Sequence, residues 1–277
     1  MESSPYELNQ QLKVAQLLHQ SHTGRQQLLI FQSPMLGRVM VLDGLIQTTE
    51  RDEFVYHELL VHPPLFAHGN VKHVLIIGGG DGGALRTALQ HPIEQATLVE
   101  IDGTVVDLAR KYLQPICGDA FDDPRSQLLI TDGARFVAET DQRFDVIIVD
   151  STDPVGTAQI LFTSQFYGNC HRCLRPGGIL ITQSGVPFVQ HEQLQRCAAA
   201  LRARFADATF YMGAVPTYNG GPMAFGWASD QPTHRHHDAD LLRVRYAQAG
   251  IRTRYYNPDV HLAAFALPNY VRELLPA

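Results

Sequence analysis

Five uninterrupted apolar runs in the middle of the chain constrain its fold more than any other feature. They are HVLIIG (73–78), ATLVEI (96–101), QLLIT (127–131), DVIIV (145–149) and GILITQS (178–184). A strand that helices cover on both faces has such a run, whereas a strand with one solvated face alternates apolar and polar residues. Helical patterns separate the runs, so the sequence predicts an α/β protein with a doubly wound parallel sheet.

The stretch before these runs predicts a small β domain. QQLLIF (26–31) is a short apolar run, and GRVMVLDGLIQTTER (37–51) places Asp43-Gly44 between two apolar segments. Asp-Gly tolerates the positive φ angles of a two-residue hairpin turn. We therefore expect an N-terminal β-hairpin or β-sheet domain over residues 1–66 and a domain built on the parallel sheet over residues 67–277.

The segment EFVYHELLVHPPLFAH (53–68) has apolar residues at helical spacing. Pro63 and Pro64 lie within it, and proline lacks the N–H that a helix interior needs. The sequence therefore predicts a helix that is interrupted at this pair.

Composition and charge limit the classes of partner. The chain has 277 residues, is 45% hydrophobic and carries a net charge of −6. No basic stripe is present to neutralise phosphates, so we expect no nucleic acid partner. No apolar run approaches the length of a membrane span, and MESSPYELNQ lacks the features of a secretory signal, so we expect no membrane partner and a cytoplasmic protein.

The four cysteines indicate neither a metal nor a redox site. Cys170 and Cys173 form a single C-x-x-C, and no second pair follows at the spacing of a zinc site. Both lie in a predicted helix, where a thiol packs as a small apolar group.

The sequence GGGDGG, which starts at Gly78, follows the first buried run and precedes a helix. Gly78, Gly80 and Gly83 fit G-x-G-x-x-G, and Glu100 ends the next strand, as in a dinucleotide site. However, the carboxylate of Asp81 would repel a pyrophosphate at the helix N-terminus. An S-adenosyl compound fits better, because Glu100 can hold its ribose and its sulfonium cation favours nearby acids.

Two more acids at strand ends each have two interpretations. Asp102 either adds negative charge near a sulfonium or caps the helix VVDLARKYL. Asp132, followed by Gly133, either caps the next helix or accepts a hydrogen bond from the amino group of adenine.

The motif DSTDP places Asp150 and Asp153 directly after the fourth buried run. Asp, Ser, Thr and Pro are turn formers, which is the simpler explanation. However, in a parallel sheet the carboxyl ends of the strands share one edge, where ligands bind. This edge would collect the carboxylates of Asp81, Glu100, Asp132, Asp150 and Asp153. Such a cluster is unfavourable unless cations occupy it.

An amine would be a suitable cation for this edge. At neutral pH its nitrogen is protonated and has no lone pair for attack, so a carboxylate must hold it and accept its proton. Asp150 is the candidate for this acceptor and Asp153 for holding charge beside it. Displacement next to a sulfonium releases a neutral thioether, so alignment supplies much of the rate.

The chain resembles the spermidine synthase family of bacterial polyamine aminopropyltransferases. The matching stretches run in family order from Arg25 to the C terminus and include TERDEFVYHELL, HVLIIGGGDGGALR, DVIIVDSTDPVG, PTYNGGPMAFGWASD and RYYNPDVHLAAFALP. The resemblance implies a small N-terminal β domain joined to a methyltransferase-like Rossmann domain. It also implies transfer of the aminopropyl group of decarboxylated S-adenosylmethionine, a co-substrate, to putrescine, giving spermidine and methylthioadenosine.

The resemblance further implies a homodimer or homotetramer, no metal and no redox cofactor. By motif match, the residues that hold the nucleoside are Gln26, Gly78, Gly80, Glu100, Asp132, Gly133 and Thr157. Those that hold amines are Tyr56, His57, Asp81, Asp153 and Tyr218, and Asp150 is the proton acceptor. Thr157 and Gln159 stand where the family usually has Pro and Glu. Without the resemblance, Tyr56 and His57 are interpreted as packing residues of an apolar helix, and Tyr218 as a loop aromatic.

Asp81 suggests a further hypothesis about cofactor choice. Ordinary S-adenosylmethionine carries a carboxylate that the decarboxylated form lacks, so an acid in the loop would repel the wrong cofactor. The alternatives are a methyltransferase that uses S-adenosylmethionine, an NAD(P)-linked oxidoreductase, a nucleoside-binding module without catalysis, and an aminopropyltransferase for cadaverine, agmatine or spermidine.

Overall fold

The computed structural model describes residues 10–153 and 156–275, with the main chain alone for Gly156 and Thr157. Within these ranges the strands are β1 (Gln16–His22), β2 (Gln27–Ser33), β3 (Gly37–Leu42), β4 (Leu45–Thr49), β5 (His73–Gly78), β6 (Gln95–Glu100), β7 (Ser126–Ile130), β8 (Phe144–Asp150), β9 (Leu174–Gln183), β10 (Asp207–Gly213) and β11 (Met223–Ser229). The helices are α1 (Glu53–His68), α2 (Gly83–Leu89), α3 (Gly103–Tyr112), α4 (Gln114–Cys117), α5 (Gly133–Glu139), α6 (Ser164–Cys173), α7 (His191–Arg202), α8 (Ala239–Ala249), α9 (Pro258–Ala264) and α10 (Asn269–Leu274).

The N-terminal strands β1 to β4 form an antiparallel sheet in chain order. Asp43 and Gly44 join β3 to β4 with φ angles of 49° and 82°, which confirms the predicted hairpin turn. Strand β1 was not predicted, because its residues are mostly exposed and it has no apolar run or alternation. It adds to the sheet through pairing with β2. Helix α1 lies across the proposed domain boundary at residue 66, which stays a prediction.

The described part of the larger sheet has seven strands in the order β10-β11-β9-β8-β5-β6-β7. The five predicted strands are β5 to β9, and they run parallel, which confirms the predicted doubly wound sheet. The expected burial on both faces was wrong for β7, which forms the edge of the sheet, is only partly buried and leaves Ile130 exposed. Strand β11 is antiparallel to β9 and β10 on either side. The chain builds outward from β5 to β7 and then returns to β8 on the other side of β5. The β5–β8 crevice is therefore the switch point at which such sheets bind ligands.

Helix α1 runs through Pro63 and Pro64, so the predicted interruption was wrong. Pro63 has no N–H for the carbonyl of Leu59, one turn earlier. The hydroxyl of Tyr211, on β10, donates a hydrogen bond of 2.7 Å to that carbonyl instead. The donor that Pro63 cannot supply to Leu59 is therefore replaced from another strand, which lowers the cost of a proline at this position in the helix.

All four cysteines lie in the described ranges, where each is buried and outside any disulfide bond. The thiols of Cys170 and Cys173 are part of the core between α6 and the sheet, as packing residues are. None of the described helices has the length and the apolar composition that crossing a membrane requires.

Candidate functional site

The candidate site lies where β5 and β8 end side by side. Gly78, the last residue of β5, is paired with Asp150, the last residue of β8. Gly78 has a φ angle of 82°, and a Cβ there would collide with the main-chain oxygen of Asp150. The first glycine of the loop therefore allows the two strand ends to approach closely.

A cavity of about 290 Å³ opens at this edge of the sheet. The predicted site residues that line it are Gln26, Tyr56, Gly78, Gly80, Asp81, Glu100, Asp132, Gly133, Asp150, Asp153 and Tyr218. His57 does not line the cavity but lies behind Asp81, with 1% of its surface exposed. The side chain of Thr157 lies outside the described part of the chain.

Asp150 presents one free carboxylate oxygen to this region. Its Oδ1 accepts a hydrogen bond of 2.6 Å from the hydroxyl of Tyr56. Its Oδ2 is buried and has no hydrogen-bond partner in the described part of the chain. A Cβ at Gly79 would lie 2.8 Å from Oδ2, so the glycine leaves room for the carboxylate in this position. Burial and then the charge of Asp81 raise the pKa of Asp150 to about 6.

Asp81 is buried and held from two sides. Its Oδ1 accepts a hydrogen bond of 2.9 Å from the N–H of Gly83, and its Oδ2 lies 3.5 Å from Nε2 of His57. The other ring nitrogen of His57, Nδ1, lies 2.7 Å from Oε2 of Glu53. Burial alone would lower the pKa of His57, but the carboxylates of Asp81 and Glu53 raise it to about 10. The cation in turn lowers the pKa of Asp81 against the opposing effect of burial.

His57, Asp81 and Asp150 each place one potential ligand atom within 4.8 Å of the others. These are residue types that bind metal ions. However, both nitrogens of His57 face carboxylates, and an imidazolium has no lone pair for a metal. The arrangement therefore suits an organic cation better than a metal ion.

Asp153 is oriented by two glutamines that the sequence did not indicate. Gln183 donates to Oδ1 over 3.3 Å, and Gln190 donates to Oδ2 over 2.8 Å. Burial raises the pKa of Asp153. A cation bound beside it would oppose this effect, because a nearby positive charge favours the ionised carboxylate.

Tyr56 and Tyr218 form an aromatic wall of the cavity. Their ring centroids are 5.9 Å apart and the rings are nearly perpendicular, at 83°. The hydroxyl of Tyr218 donates to the carbonyl of Gln47 over 2.6 Å. The neighbouring Thr217 donates its N–H to Asp52 over 2.7 Å, so this acid at the start of α1 anchors the loop that carries Tyr218.

Glu100 and Gln26 occupy the other part of the site. Oε1 of Glu100 accepts the N–H of Asp102 over 2.9 Å, while Oε2 lies against Gly80, where a Cβ would be 2.9 Å away. Burial raises the pKa of Glu100 to about 7. Asp102 caps α3 through the N–H of Thr104, which confirms one of its two interpretations. It also accepts from the side chain of Gln26 over 3.1 Å.

Asp132 caps α5, since it accepts hydrogen bonds from the N–H groups of Ala134 and Arg135 over 2.8 and 3.2 Å. It also lines the cavity, so a contact with adenine stays a prediction. A Cβ at Gly133 would collide with the side chain of Ile77, which explains the glycine at this position.

The sequence did not indicate which residues of the N-terminal sheet reach the site. Met40, Leu42 and Ile46, all on β3 and β4, line the cavity. On β3, Met40 and Leu42 alternate with Val39 and Val41, which are equally apolar but belong to a different core cluster. Only the docking of the small sheet on the large one decides which of these faces lines the cavity. The cavity thus combines charged residues from the large sheet with an apolar wall from the small one.

Comparison with known proteins agrees with this geometry. Residues 53–238 match the spermine/spermidine synthase domain, and residues 1–50 match the spermidine synthase tetramerisation domain. A polyamine aminopropyltransferase from Pseudomonas syringae pv. tomato is 53% identical over 263 residues, which are 95% of this chain and 92% of that protein. Polyamine aminopropyltransferase 1 from Pseudomonas aeruginosa is 53% identical over 267 residues, covering 96% and 93% of the two chains.

Solved structures give the same result. A spermidine synthase in complex with the transition state analogue AdoDATO has a TM-score of 0.91 at 39% identity, covering 95% of this chain and 89% of its own. The spermidine synthase from Thermotoga maritima has a TM-score of 0.89 at 39% identity with the same coverage. The chain therefore belongs to the spermine/spermidine synthase family and is a polyamine aminopropyltransferase.

Proposed function

We propose that the enzyme transfers the aminopropyl group of decarboxylated S-adenosylmethionine to putrescine, giving spermidine and methylthioadenosine. The observation that carries this proposal is the buried Oδ2 of Asp150 at the switch point of the sheet, which has no hydrogen-bond partner among the described residues. Asp81 and Asp153 add negative charge to the same cavity, and the described residues that line it include no lysine or arginine. A sulfonium donor and a diamine supply the positive charges that this part of the site needs.

The reaction begins with the attacking amine. Its nitrogen is protonated in water, and Oδ2 of Asp150 accepts one proton from it. Tyr56 holds Oδ1 and keeps the carboxylate in place. Because burial and the charge of Asp81 raise the pKa of Asp150 to about 6, it is a better base than an exposed aspartate and is still ionised at neutral pH.

The nitrogen lone pair then attacks the aminopropyl carbon that is bonded to sulfur. A C–N bond forms, the C–S bond breaks, and its electron pair remains on sulfur as a neutral thioether. The positive charge moves from sulfur to the new secondary ammonium of the product. The proton on Asp150 leaves to solvent as the products are released. Since the leaving group is already a good one, alignment supplies much of the acceleration.

The two substrates occupy different parts of the cavity in this proposal. Glu100 accepts hydrogen bonds from the ribose hydroxyls, Gln26 and the glycine loop contact the nucleoside, and Asp132 accepts from the adenine amino group. Asp81, Asp153 and Tyr218 hold the amine. His57 acts from behind Asp81, because it does not line the cavity.

We also propose that the reaction uses no metal and no redox cofactor, since displacement at the sulfonium carbon requires neither. The match to a tetramerisation domain supports oligomerisation, and we propose a homodimer or homotetramer. The buried free thiols fit a reducing compartment, so we propose a cytoplasmic location.

A product assay tests the proposed reaction. The enzyme is incubated with decarboxylated S-adenosylmethionine and, separately, putrescine, cadaverine, agmatine and spermidine, and the products are identified by mass spectrometry. We expect spermidine from putrescine at the highest kcat/KM. A methylated amine formed from ordinary S-adenosylmethionine would instead favour a methyltransferase. Preference for another amine would overturn putrescine alone and leave aminopropyl transfer in place.

Asp150→Asn tests the proton acceptor in the same assay. The amide cannot accept the proton, so we expect kcat to fall by about 10²- to 10⁴-fold. Asp141→Asn is the matched control, because Asp141 is an exposed acid in the loop before β8, and it should leave kcat unchanged. An Asp150→Asn variant with parental kcat would contradict the assignment.

A further inference from the structure

A line of charged side chains leads away from the cavity behind Asp81. His57 lies between two carboxylates, with Nε2 3.5 Å from Asp81 and Nδ1 2.7 Å from Glu53. Glu53 in turn meets Arg86, whose Nη2 lies 3.0 Å from Oε1 and 2.9 Å from Oε2. Charges alternate along this line from Asp81 to Arg86, and Glu53 and Arg86 do not line the cavity.

The fold holds this line in place. Glu53 and His57 are one turn apart on α1, and Arg86 lies on α2, which begins at the glycine loop. The His57 ring lies directly against Gly83, where a Cβ would be 2.5 Å from Nε2 and closer still to Cε1 and Nδ1. Glu53 and His57 are 6% and 1% exposed, so water screens their interaction little.

The charge balance around His57 depends on Glu53. The titratable groups close to His57 are Glu53 and Tyr56 on α1, Asp81 in the loop and Asp150 on β8. Arg86 on α2 lies behind Glu53, and Cys117 on α4 lies near Asp81. Burial raises the pKa of the Tyr56 hydroxyl and the Cys117 thiol, which both stay neutral. Glu53 and Asp81 are the two carboxylates in direct contact with the ring, and Arg86 opposes its charge.

We propose that Glu53, oriented by Arg86, is a positioning residue for aminopropyl transfer. It keeps the buried imidazole of His57 protonated, so that Asp81 stays ionised beside the amine. This inference rests on the proposed function, in which Asp81 holds the amine. The pair thus sets the charge of the cavity without touching a substrate.

The first test measures the protonation state of His57 in the substrate-free enzyme. Two-dimensional ¹H–¹⁵N spectra of histidine-labelled protein report it, and His57→Gln assigns the signal. In the parent we expect an imidazolium throughout the range from pH 6 to about 9, since a pKa near 10 lies above that range. In Glu53→Gln we expect titration within the range. A parent His57 that loses its proton below pH 8 overturns the proposal, whether or not the variant folds.

The second test is kinetic. The ratio of kcat/KM for Glu53→Gln to that of the parent should fall about tenfold between pH 7 and pH 9, as His57 loses its proton in the variant alone. Glu53→Asp keeps the charge and should give a nearly constant ratio. Glu192→Gln removes an exposed acid that also pairs at i,i+4, with Arg196, and serves as the matched control.

A pH-independent loss in Glu53→Gln would mean that Glu53 only supports the fold, and would contradict the inference. The spectra need no substrate, so they distinguish this failure from failure of the proposed function. A titrating His57 in the variant together with an inactive parent would overturn the substrate assignment alone.

Discussion

Replacement of Gly83 by alanine should disable the enzyme by displacing His57. The new Cβ would lie 2.5 Å from Nε2 of His57, whereas carbon and nitrogen atoms in contact are normally about 3.5 Å apart. The ring must therefore move by at least about 1 Å, because Cε1 and Nδ1 would lie closer still to the new Cβ. Gly83 cannot easily yield, because its N–H is bonded to Asp81 over 2.9 Å. His57 is held by Glu53 over 2.7 Å on its other side.

A displacement of about 1 Å near a reacting centre can cost about 100-fold in rate, so we expect kcat/KM to fall by at least about that factor. Overpacking of this kind also costs about 1–3 kcal/mol in the free energy of unfolding. Formation of methylthioadenosine from decarboxylated S-adenosylmethionine and putrescine gives the first quantity, and denaturant unfolding gives the second.

The matched control for this change is Gly168→Ala. Gly168 lies inside α6, and the nearest atom to its Cβ would be Nε of Arg204 at 3.5 Å, an ordinary contact. This variant should keep parental kcat/KM and gain up to about 1 kcal/mol of stability from the better helix former. If Gly83→Ala also keeps kcat/KM within twofold of the parent, the packing of His57 against the loop does not control the site.

Three other outcomes follow from single contacts. Asp150 must be ionised to accept a proton, and its pKa is about 6, so kcat/KM should fall about tenfold for each pH unit below pH 6. A kcat/KM that stays constant from pH 5 to pH 8, with chemistry rate-limiting, would contradict this prediction. Asp81→Asn should improve binding of S-adenosylmethionine relative to its decarboxylated form in titration calorimetry, and an unchanged ratio would refute the repulsion hypothesis. Tyr211→Phe removes the hydroxyl that pairs with the carbonyl of Leu59 and should lower the free energy of unfolding by about 1–3 kcal/mol. The loss should be smaller in a Pro63→Ala background, where residue 63 again has an N–H for this carbonyl. Equal losses in both backgrounds would argue against the role of Tyr211 as the replacement donor.

Much of the fold follows from local patterns in the sequence. The apolar runs of β5 to β9 predicted buried parallel strands, and Asp43-Gly44 predicted a hairpin turn, because each depends on residues close in the chain. The acids of the candidate site were predictable for a related reason. Asp81, Glu100 and Asp150 follow strands whose carboxyl ends meet at one edge, so the position of each in its own segment was sufficient.

Other features depend on contacts between distant segments, which a single sequence does not reveal. The carbonyl that Pro63 leaves without a helical donor is paired by the hydroxyl of Tyr211, which lies 148 positions after Pro63, as the numbering shows. The pairing of Glu53 with Arg86 requires the packing of α1 on α2. The placement of His57 behind Asp81 also follows from this packing. The sequence around Tyr56 and His57 alone could not show that Tyr56 lines the cavity while His57 lies behind it.

A crystal structure of the enzyme with methylthioadenosine and putrescine would show where the attacking nitrogen binds. We expect this nitrogen within about 3 Å of Oδ2 of Asp150, the oxygen that has no partner in the described chain, and on the side of the cavity that faces the thioether sulfur. A nitrogen held only by other groups, with Oδ2 of Asp150 turned away from it, would contradict the role of Asp150 as the proton acceptor in aminopropyl transfer.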